Sequence, residues 1–193
     1  MMKQIKLTIL VLLLLTMTGA CQKKNPIVEI QTPKGKLIVE LDIKNAPITA
    51  GHFLKLVKDG VYDGASFYRT VRNEPNQNNI RISVVQGGTS RMQNAQKVEN
   101  IEHESTEVTG LTHSHGVISM ARSKPGTARA EFFICVGENF ELDFGGRRNS
   151  DGQGFAAFGK VIEGEKALHD IWGSSAMGED IDPVVKIYKI KLR

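Results

Sequence analysis

The chain has 193 residues, of which 40% are hydrophobic and 24% are charged. This length fits one globular domain with a substantial core, and the composition is that of an ordinary soluble domain. It excludes a disordered chain, a collagen-like repeat and a membrane protein with several spans. The formal net charge is +4, but the basic residues are scattered, which argues against a partner such as nucleic acid.

The N-terminal segment predicts export. Lys3 and Lys6 precede an apolar run over 7–15, and small residues follow it, which is the pattern of a signal peptide over residues 1–20. The run is about half as long as the roughly 20 apolar residues of a spanning helix, so a permanent transmembrane anchor is the weaker interpretation.

The residues around Cys21 predict a lipid anchor. Gly19-Ala20-Cys21 resembles the bacterial lipobox, although Thr18 departs from the usual leucine, and the alternative is a secreted protein with an incidental cysteine. Gln22 follows Cys21 where a signal for retention in the inner membrane would be Asp. We therefore expect a periplasmic protein anchored in the outer membrane, with a tether over 21–26 and one domain over 27–193. Cys135 would then have no disulfide partner and is predicted to be a buried, inert strand residue.

The sequence after the tether predicts a mainly β domain. Residues 27–31 and 36–41 are rich in β-branched residues and flank a Pro-Gly turn, which predicts a hairpin. A helix is predicted from Pro47 towards Gly60, and a second helix over 165–172. Further strands are predicted over 65–71, 80–86, 116–121, 131–136, 155–161 and 184–192. Eight strands and two helices favour a closed eight-stranded antiparallel β-barrel capped by two α-helices, because closure removes exposed sheet edges.

Three separated motifs point to one family. They are Phe67-Tyr68-Arg69, Val85-Gln86-Gly87-Gly88, and Ser119-Met120-Ala121 followed by Glu131-Phe132-Phe133-Ile134-Cys135. Their order and spacing resemble the cyclophilin family of peptidyl-prolyl cis-trans isomerases, and the likeness extends over the chain from residue 27. The resemblance implies a cyclophilin-like fold, proline-containing polypeptides as substrates, and chemistry that requires no cofactor and no metal.

The resemblance also implies the site residues. Arg69 matches the catalytic arginine of the family and Gln86 the glutamine beside it, while Ala121 matches a backbone contact for the substrate. The residues expected to line the substrate pocket are Phe133, Leu142, Val84, Met120 and Phe155. Phe132 and Phe133 alternate on a strand, so one faces the core and the other the site.

Arg69 suits the chemistry of amide rotation. An amide resists rotation by about 18–20 kcal/mol because the nitrogen lone pair is delocalised. A guanidinium that donates to the pyramidal nitrogen of the twisted state stabilises that state selectively, without a nucleophile or a general base.

Several residues depart from the common family pattern. Ser83-Val84 stands where many members have Phe-Met, Glu141 replaces a tryptophan, and Phe155 replaces a pocket histidine. Arg122 and Glu131 stand where neutral amides are frequent, and we expect an ion pair between them across the substrate groove. These changes leave a second function open: a proline-segment-binding chaperone or assembly module with little turnover. In either case the protein is expected to be a monomer.

Histidines in a long connection raise the question of a metal. His103, His113 and His115 lie near Glu102 and Glu104, and a His-x-His pair on a strand would place both rings on one face. No third ligand is specified, so exposed loop histidines without a metal are the favoured interpretation.

Overall fold

The computed structural model describes residues 24–75 and 79–193. The predicted signal peptide and Cys21 lie outside these residues. Within the described ranges, no helix has both the length and the apolar character needed to cross a bilayer.

The described residues form ten strands, three α-helices and a 3₁₀ turn. The strands are β1 (Ile27–Thr32), β2 (Gly35–Leu41), β3 (Ser66–Pro75), β4 (Arg81–Gly88), β5 (Val117–Met120), β6 (Phe132–Cys135), β7 (Ala156–Glu163), β8 (Ala176–Met177), β9 (Asp180–Lys186) and β10 (Lys189–Leu192). The helices are α1 (Pro47–Lys58), α2 (Thr106–Thr109) and α3 (Glu165–Trp172), and the 3₁₀ turn is Phe140–Leu142.

All ten strands belong to one antiparallel sheet in the order β10-β1-β2-β7-β5-β6-β4-β3-β9-β8. In the described residues the ladder has ends at β10 and β8, so the predicted closed barrel is not confirmed. The predicted count of eight strands is wrong for two reasons: the segment over 184–192 contributes to two strands, β9 and β10, and the two-residue strand β8 was not predicted. Ile187 donates its N–H to the carbonyl of Ala65 beside β3, and Tyr188 donates to the carbonyl of Gln31 in β1, so the chain changes partners there.

The main core lies on one face of the sheet, under α1 and α3. Its centre is a set of aromatic rings whose centroids are 5.0–5.7 Å apart: Phe53, Tyr62, Phe67, Phe132 and Phe158. Such edge and tilted contacts stabilise beyond simple burial. This core fixes the strands that carry the site on their opposite face.

Glu104 caps the beginning of α1 from the long connection. Pro47 opens the helix, and Ala46 provides no side-chain cap. The Glu104 carboxylate instead accepts hydrogen bonds from the N–H groups of Ile48 at 3.1 Å and Thr49 at 2.6 Å. A carboxylate at a helix N-terminus satisfies otherwise unpaired donors and the helix dipole, so Glu104 has a structural role and is not a metal ligand.

Candidate active site

A β-bulge in β3 turns Arg69 away from the core. The pairing of β3 with β4 passes from Phe67↔Gly87 to Arg69↔Gln86, so Tyr68 is the extra residue. In a regular strand Arg69 would share a face with Phe67, which lies in the main core. The bulge places Arg69 on the opposite face together with Val71, next to Gln86 of β4.

A second apolar cluster covers this outer face. It consists of Val71, Ile82, Val84, Phe133, Cys135 and Leu142, with Ala121 and Phe155 packed against it. The strands alternate as expected: Phe132 enters the main core and Phe133 enters the second cluster. Burial raises the pKa of the Cys135 thiol, which is therefore neutral and inert at physiological pH.

A cavity of about 190 Å³ opens over the cluster, with charged groups at its rim. It is lined by Arg69, Ile82, Val84, Gln86, Ala121, Arg122, Phe133, Leu142, Arg148 and Phe155. The ring of Phe155 stands at 88° to that of Phe133 with the centroids 5.3 Å apart, so two aromatic faces form a corner. An apolar corner beside a guanidinium can hold a small ring and offer it hydrogen-bond donors.

Arg69 is held from two sides. Oε2 of Glu179 lies 2.8 Å from Nε and 2.6 Å from Nη2 of Arg69, and Nη1 donates to Oε1 of Gln86 at 2.8 Å. A guanidinium has five N–H donors, so donors remain for a substrate after these contacts. Gln86 thus orients Arg69, and Glu179 adds a carboxylate partner that no local sequence pattern indicates.

The network continues behind Gln86 to Glu131. Nε2 of Gln86 donates to the hydroxyl of Tyr68 at 2.8 Å, and that hydroxyl donates to Oε2 of Glu131 at 2.6 Å. Burial, and secondarily the Glu131 carboxylate, raise the pKa of Tyr68, so the phenol stays a donor. Gly88 lies against this carboxylate with a φ of +146°, and a Cβ there would come within 2.5 Å of Glu131.

The prediction of an ion pair between Arg122 and Glu131 is wrong. Arg122 donates from Nη1 and Nη2 to the two oxygens of Asp151 at 2.8 and 2.9 Å, and its side chain is 1% exposed. Its Nε also donates to the carbonyl of Gly154 at 2.8 Å, and its guanidinium carbon lies 5.2 Å from the ring centre of Phe155. Arg122 therefore fixes the loop that carries Phe155. Glu131 instead accepts the hydrogen bond from the hydroxyl of Tyr68.

Asp151→Asn should make the stability of the protein less dependent on pH. Arg122 lowers the pKa of Asp151 to about 2 in the folded protein, against roughly 3.9 in an unfolded chain. A carboxyl group whose pKa is lower in the folded than in the unfolded protein stabilises the fold at pH values above its unfolded pKa. This stabilisation is lost as the pH falls from about 4 through 2. We expect the variant to be less stable by about 1–2 kcal/mol at pH 7, after solvent screening, and the difference to shrink towards pH 2. Thermal unfolding at a series of pH values measures it; a difference that stays constant between pH 7 and 2 would contradict the pairing.

His113 lies beneath the floor of the cavity. It is fully buried, its Nδ1 lies 2.6 Å from Oδ1 of Asp143, its Nε2 lies 2.9 Å from Oγ of Ser119, and its ring stacks on Phe133 at 5.8 Å. Ser, His and Asp in this order suggest a hydrolytic triad, but Ser119 is fully buried and no substrate can reach its hydroxyl. The three residues support Phe133 instead.

If His113 and His115 lay on one face of a strand, their side chains would have similar environments, but they do not. His113 is buried, whereas His115 is partly exposed, with Nε2 2.9 and 3.0 Å from the oxygens of Glu165. Glu165 also pairs with His169 at 2.8 Å, so these three could in principle surround a cation. However, the N–H of Gly137 donates to Nδ1 of His115, which places the ring proton on Nε2. A metal-ligating histidine has the opposite polarity, with its second nitrogen donating, so the cluster is better described as a set of hydrogen bonds to the Glu165 carboxylate.

The structure brings most of the predicted site residues into one cleft. Arg69, Gln86, Ala121, Phe133, Leu142, Val84 and Phe155 all line the cavity. Met120 is the exception: it is fully buried in the main core and pairs with Phe132 across β5 and β6. Sequence reasoning missed the cavity residues Ile82 and Arg148, and it missed Glu179.

A wider groove of about 670 Å³ adjoins the cavity and shares Gln86, Ala121 and Arg122 with it. Its other walls include Tyr68, Glu131 and residues of the connection after β4, such as Lys97. A peptide that places a small ring in the cavity therefore has a path along the surface for its flanking residues.

Comparisons with known proteins identify the family. The model of the cyclophilin type peptidyl-prolyl cis-trans isomerases matches residues 27–192, which is nearly the whole described domain. The chain belongs to the cyclophilin family of peptidyl-prolyl cis-trans isomerases. It is 33% identical over 163 residues to the isomerase cyp18 of Streptomyces antibioticus, covering 81% of this chain and 91% of that protein. It is 32% identical over 155 residues to peptidyl-prolyl cis-trans isomerase A of Dickeya dadantii, covering 80% of this chain and 74% of that protein.

Solved structures agree on the cyclophilin fold. A cyclophilin type isomerase of Cryptosporidium parvum, solved in the presence of the dipeptide Ala-Pro, matches with a TM-score of 0.68 at 23% identity. The match covers 86% of this chain and 98% of that one. The protein is thus a cyclophilin-fold isomerase, and its described part is mainly β with three helices.

Proposed function

We propose that this isomerase works through the Arg69 cleft. The proline ring of the substrate enters the apolar corner of Phe133 and Phe155, which excludes water. Arg69, held by Gln86 and Glu179, donates a hydrogen bond to the prolyl nitrogen as it becomes pyramidal in the twisted state. The planar ground state cannot accept this bond, so the interaction lowers the barrier selectively. The observation that supports the proposal is that Arg69 and Phe133 line one cavity.

The arrangement of the cleft favours turnover over passive binding. A module that only holds proline segments needs an apolar pocket and no oriented donor. Here a network from Glu131 through Tyr68 and Gln86 fixes a guanidinium beside that pocket. That the enzyme is a monomer stays a prediction.

An isomerisation assay on a short X–Pro peptide tests this assignment. NMR follows the exchange between the cis and trans peptide in the presence of the mature chain in detergent. This exchange should be faster than the uncatalysed isomerisation, which takes about 10–100 s. Binding of the peptide without acceleration would instead support the chaperone function.

We further propose that the enzyme acts on exported proteins from a lipid anchor. The apolar run over 7–15, the small residues before Cys21 and the polar residues after it support an outer-membrane anchor that faces the periplasm. A short tether would keep the domain near newly translocated chains. These features lie in the sequence before the described residues.

Cys21→Ser should release the protein from membranes. Without a thiol at this position no lipid can be attached, and a polar tether has little affinity for a bilayer. We expect the wild-type protein in the membrane fraction after removal of peripheral proteins, and the variant in the soluble fraction. Cys135→Ala is the matched control and should leave the distribution unchanged; a Cys21→Ser protein that still fractionates with membranes would contradict the anchor.

A further inference from the structure

Three arginines line the cavity, and they differ in how their charges are compensated. Arg69 pairs with Glu179, and Arg122 pairs with Asp151. Among the side chains that the structure describes, which do not include those of residues 74–78, no carboxylate lies within ion-pair distance of the third, Arg148. Its guanidinium makes one long contact, from Nη1 to the carbonyl of Ile80 at 3.4 Å.

The position of Arg148 makes this isolation costly. Its side chain is partly buried at the edge of the cavity, near the guanidinium of Arg69. Burial and the like charge of Arg69 lower the pKa of Arg148, whereas Glu179, already paired with Arg69, opposes this effect from beyond contact distance. A desolvated cation beside a second cation is stabilised by an anion.

The loop that carries Arg148 holds it in place. The N–H of Arg148 donates to the carbonyl of Glu141, and Gly145 and Gly152 are joined by a hydrogen bond across the loop. Its neighbour Arg147 points elsewhere and pairs with Glu141 at the surface. The charge of Arg147 is therefore neutralised outside the cavity, whereas Arg148 contributes its charge to the cavity rim.

We propose that Arg148 binds a substrate carboxylate, which makes the enzyme selective for proline segments with Asp or Glu next to the proline. A guanidinium offers a planar fork of donors that matches a carboxylate, and a side chain flanking the proline ring can reach the rim. The same charge disfavours a flanking Lys or Arg. This proposal rests on the assignment of the proline to the Arg69 cleft.

The test compares peptides that differ in one residue. Two series carry Glu, Gln or Lys directly before or directly after the proline, and kcat/KM is obtained from NMR exchange at low and high salt. In at least one series we expect the kcat/KM of the wild-type chain to be about tenfold higher for the Glu peptide than for the Gln peptide, and higher for Gln than for Lys. The difference should lie in KM, and it should be smaller at high salt.

The variants decide which residue is responsible. Arg148→Gln should abolish the preference for Glu, so that the ratio of kcat/KM between the Glu and Gln peptides falls close to one. Arg147→Gln, which removes the adjacent surface arginine, should leave the preference intact. A wild-type enzyme that turns over all peptides alike, or an Arg148→Gln variant that still prefers Glu, would overturn this proposal and leave the Arg69 assignment standing. Inactivity of the wild-type chain on every peptide would overturn both.

Discussion

Arg69→Ala should lower kcat/KM for proline peptides by about 10²–10³-fold. This is the cost typical of removing one oriented donor that stabilises charge in a transition state. The fold should survive, because the side chain is 32% exposed and its ion pair with Glu179 lies at the surface of the cleft. The exchange assay measures the rate, and circular dichroism checks the fold.

Two further variants sharpen this result. Arg69→Lys keeps the positive charge but loses the planar fork that bridges Glu179 and Gln86, so we expect a loss between those of alanine and wild type. Arg81→Ala removes an exposed arginine of β4 outside the cavity and should retain wild-type activity. Equal rates for wild type and Arg69→Ala would exclude Arg69 as the catalytic group.

Phe133→Ala should damage both stability and activity. Phe133 is 4% exposed and lies between His113, Phe155 and the aliphatic residues of the second cluster. Truncating such a ring costs about 3–5 kcal/mol, because the transfer free energy is lost and a cavity remains. For a domain of this size that corresponds to a melting temperature lower by roughly 6–20 °C. The floor of the proline pocket is lost as well, so KM should rise.

Phe133→Leu separates the two effects. Leucine fills much of the volume and should allow folding, but it cannot stack on His113 or present a flat face to a proline ring. We expect most of the stability to return while KM stays above the wild-type value. A leucine variant with wild-type KM would show that Phe133 is core packing and not part of the binding pocket.

The outer face of the sheet was predictable only in part. The motifs around Arg69, Gln86 and Phe133 indicate the site through family resemblance, and strand alternation separates Phe132 from Phe133. The side to which Arg69 points depends on the bulge at Tyr68, since a regular strand would direct it into the main core. A bulge has no reliable signature in one sequence, so spacing alone could not decide this orientation.

The partners of charged residues were the least predictable feature. The sequence places Arg122 and Glu131 in neighbouring motifs, which favours pairing them, but the loop over 143–154 returns Asp151 to Arg122. Glu179 lies 110 positions after Arg69 and reaches it because β9 runs beside β3. Such contacts follow from the three-dimensional course of the chain, and local patterns do not encode them.

The elements with strong local signals were predicted well, and the short ones were not. The opening hairpin, α1 and α3 have clear periodicity and turn residues, and the structure confirms them. The two-residue β8 and the four-residue α2 are too short for a periodic pattern. The segment over 184–192 was merged into one strand because its composition is β-like throughout, while its change of partners at Ile187 depends on long-range pairing.

The most direct test of the mechanism separates binding from rotation on the enzyme. NMR line shapes of a labelled proline peptide, titrated with wild type and with Arg69→Lys, give the dissociation constant and the cis-trans rate of the bound peptide independently. If Arg69 acts on the twisted state, the variant should bind the peptide with nearly unchanged affinity while the bound rate falls by at least tenfold. A variant that loses affinity but rotates the bound peptide as fast as wild type would contradict the mechanism, because Arg69 would then only hold the ground state.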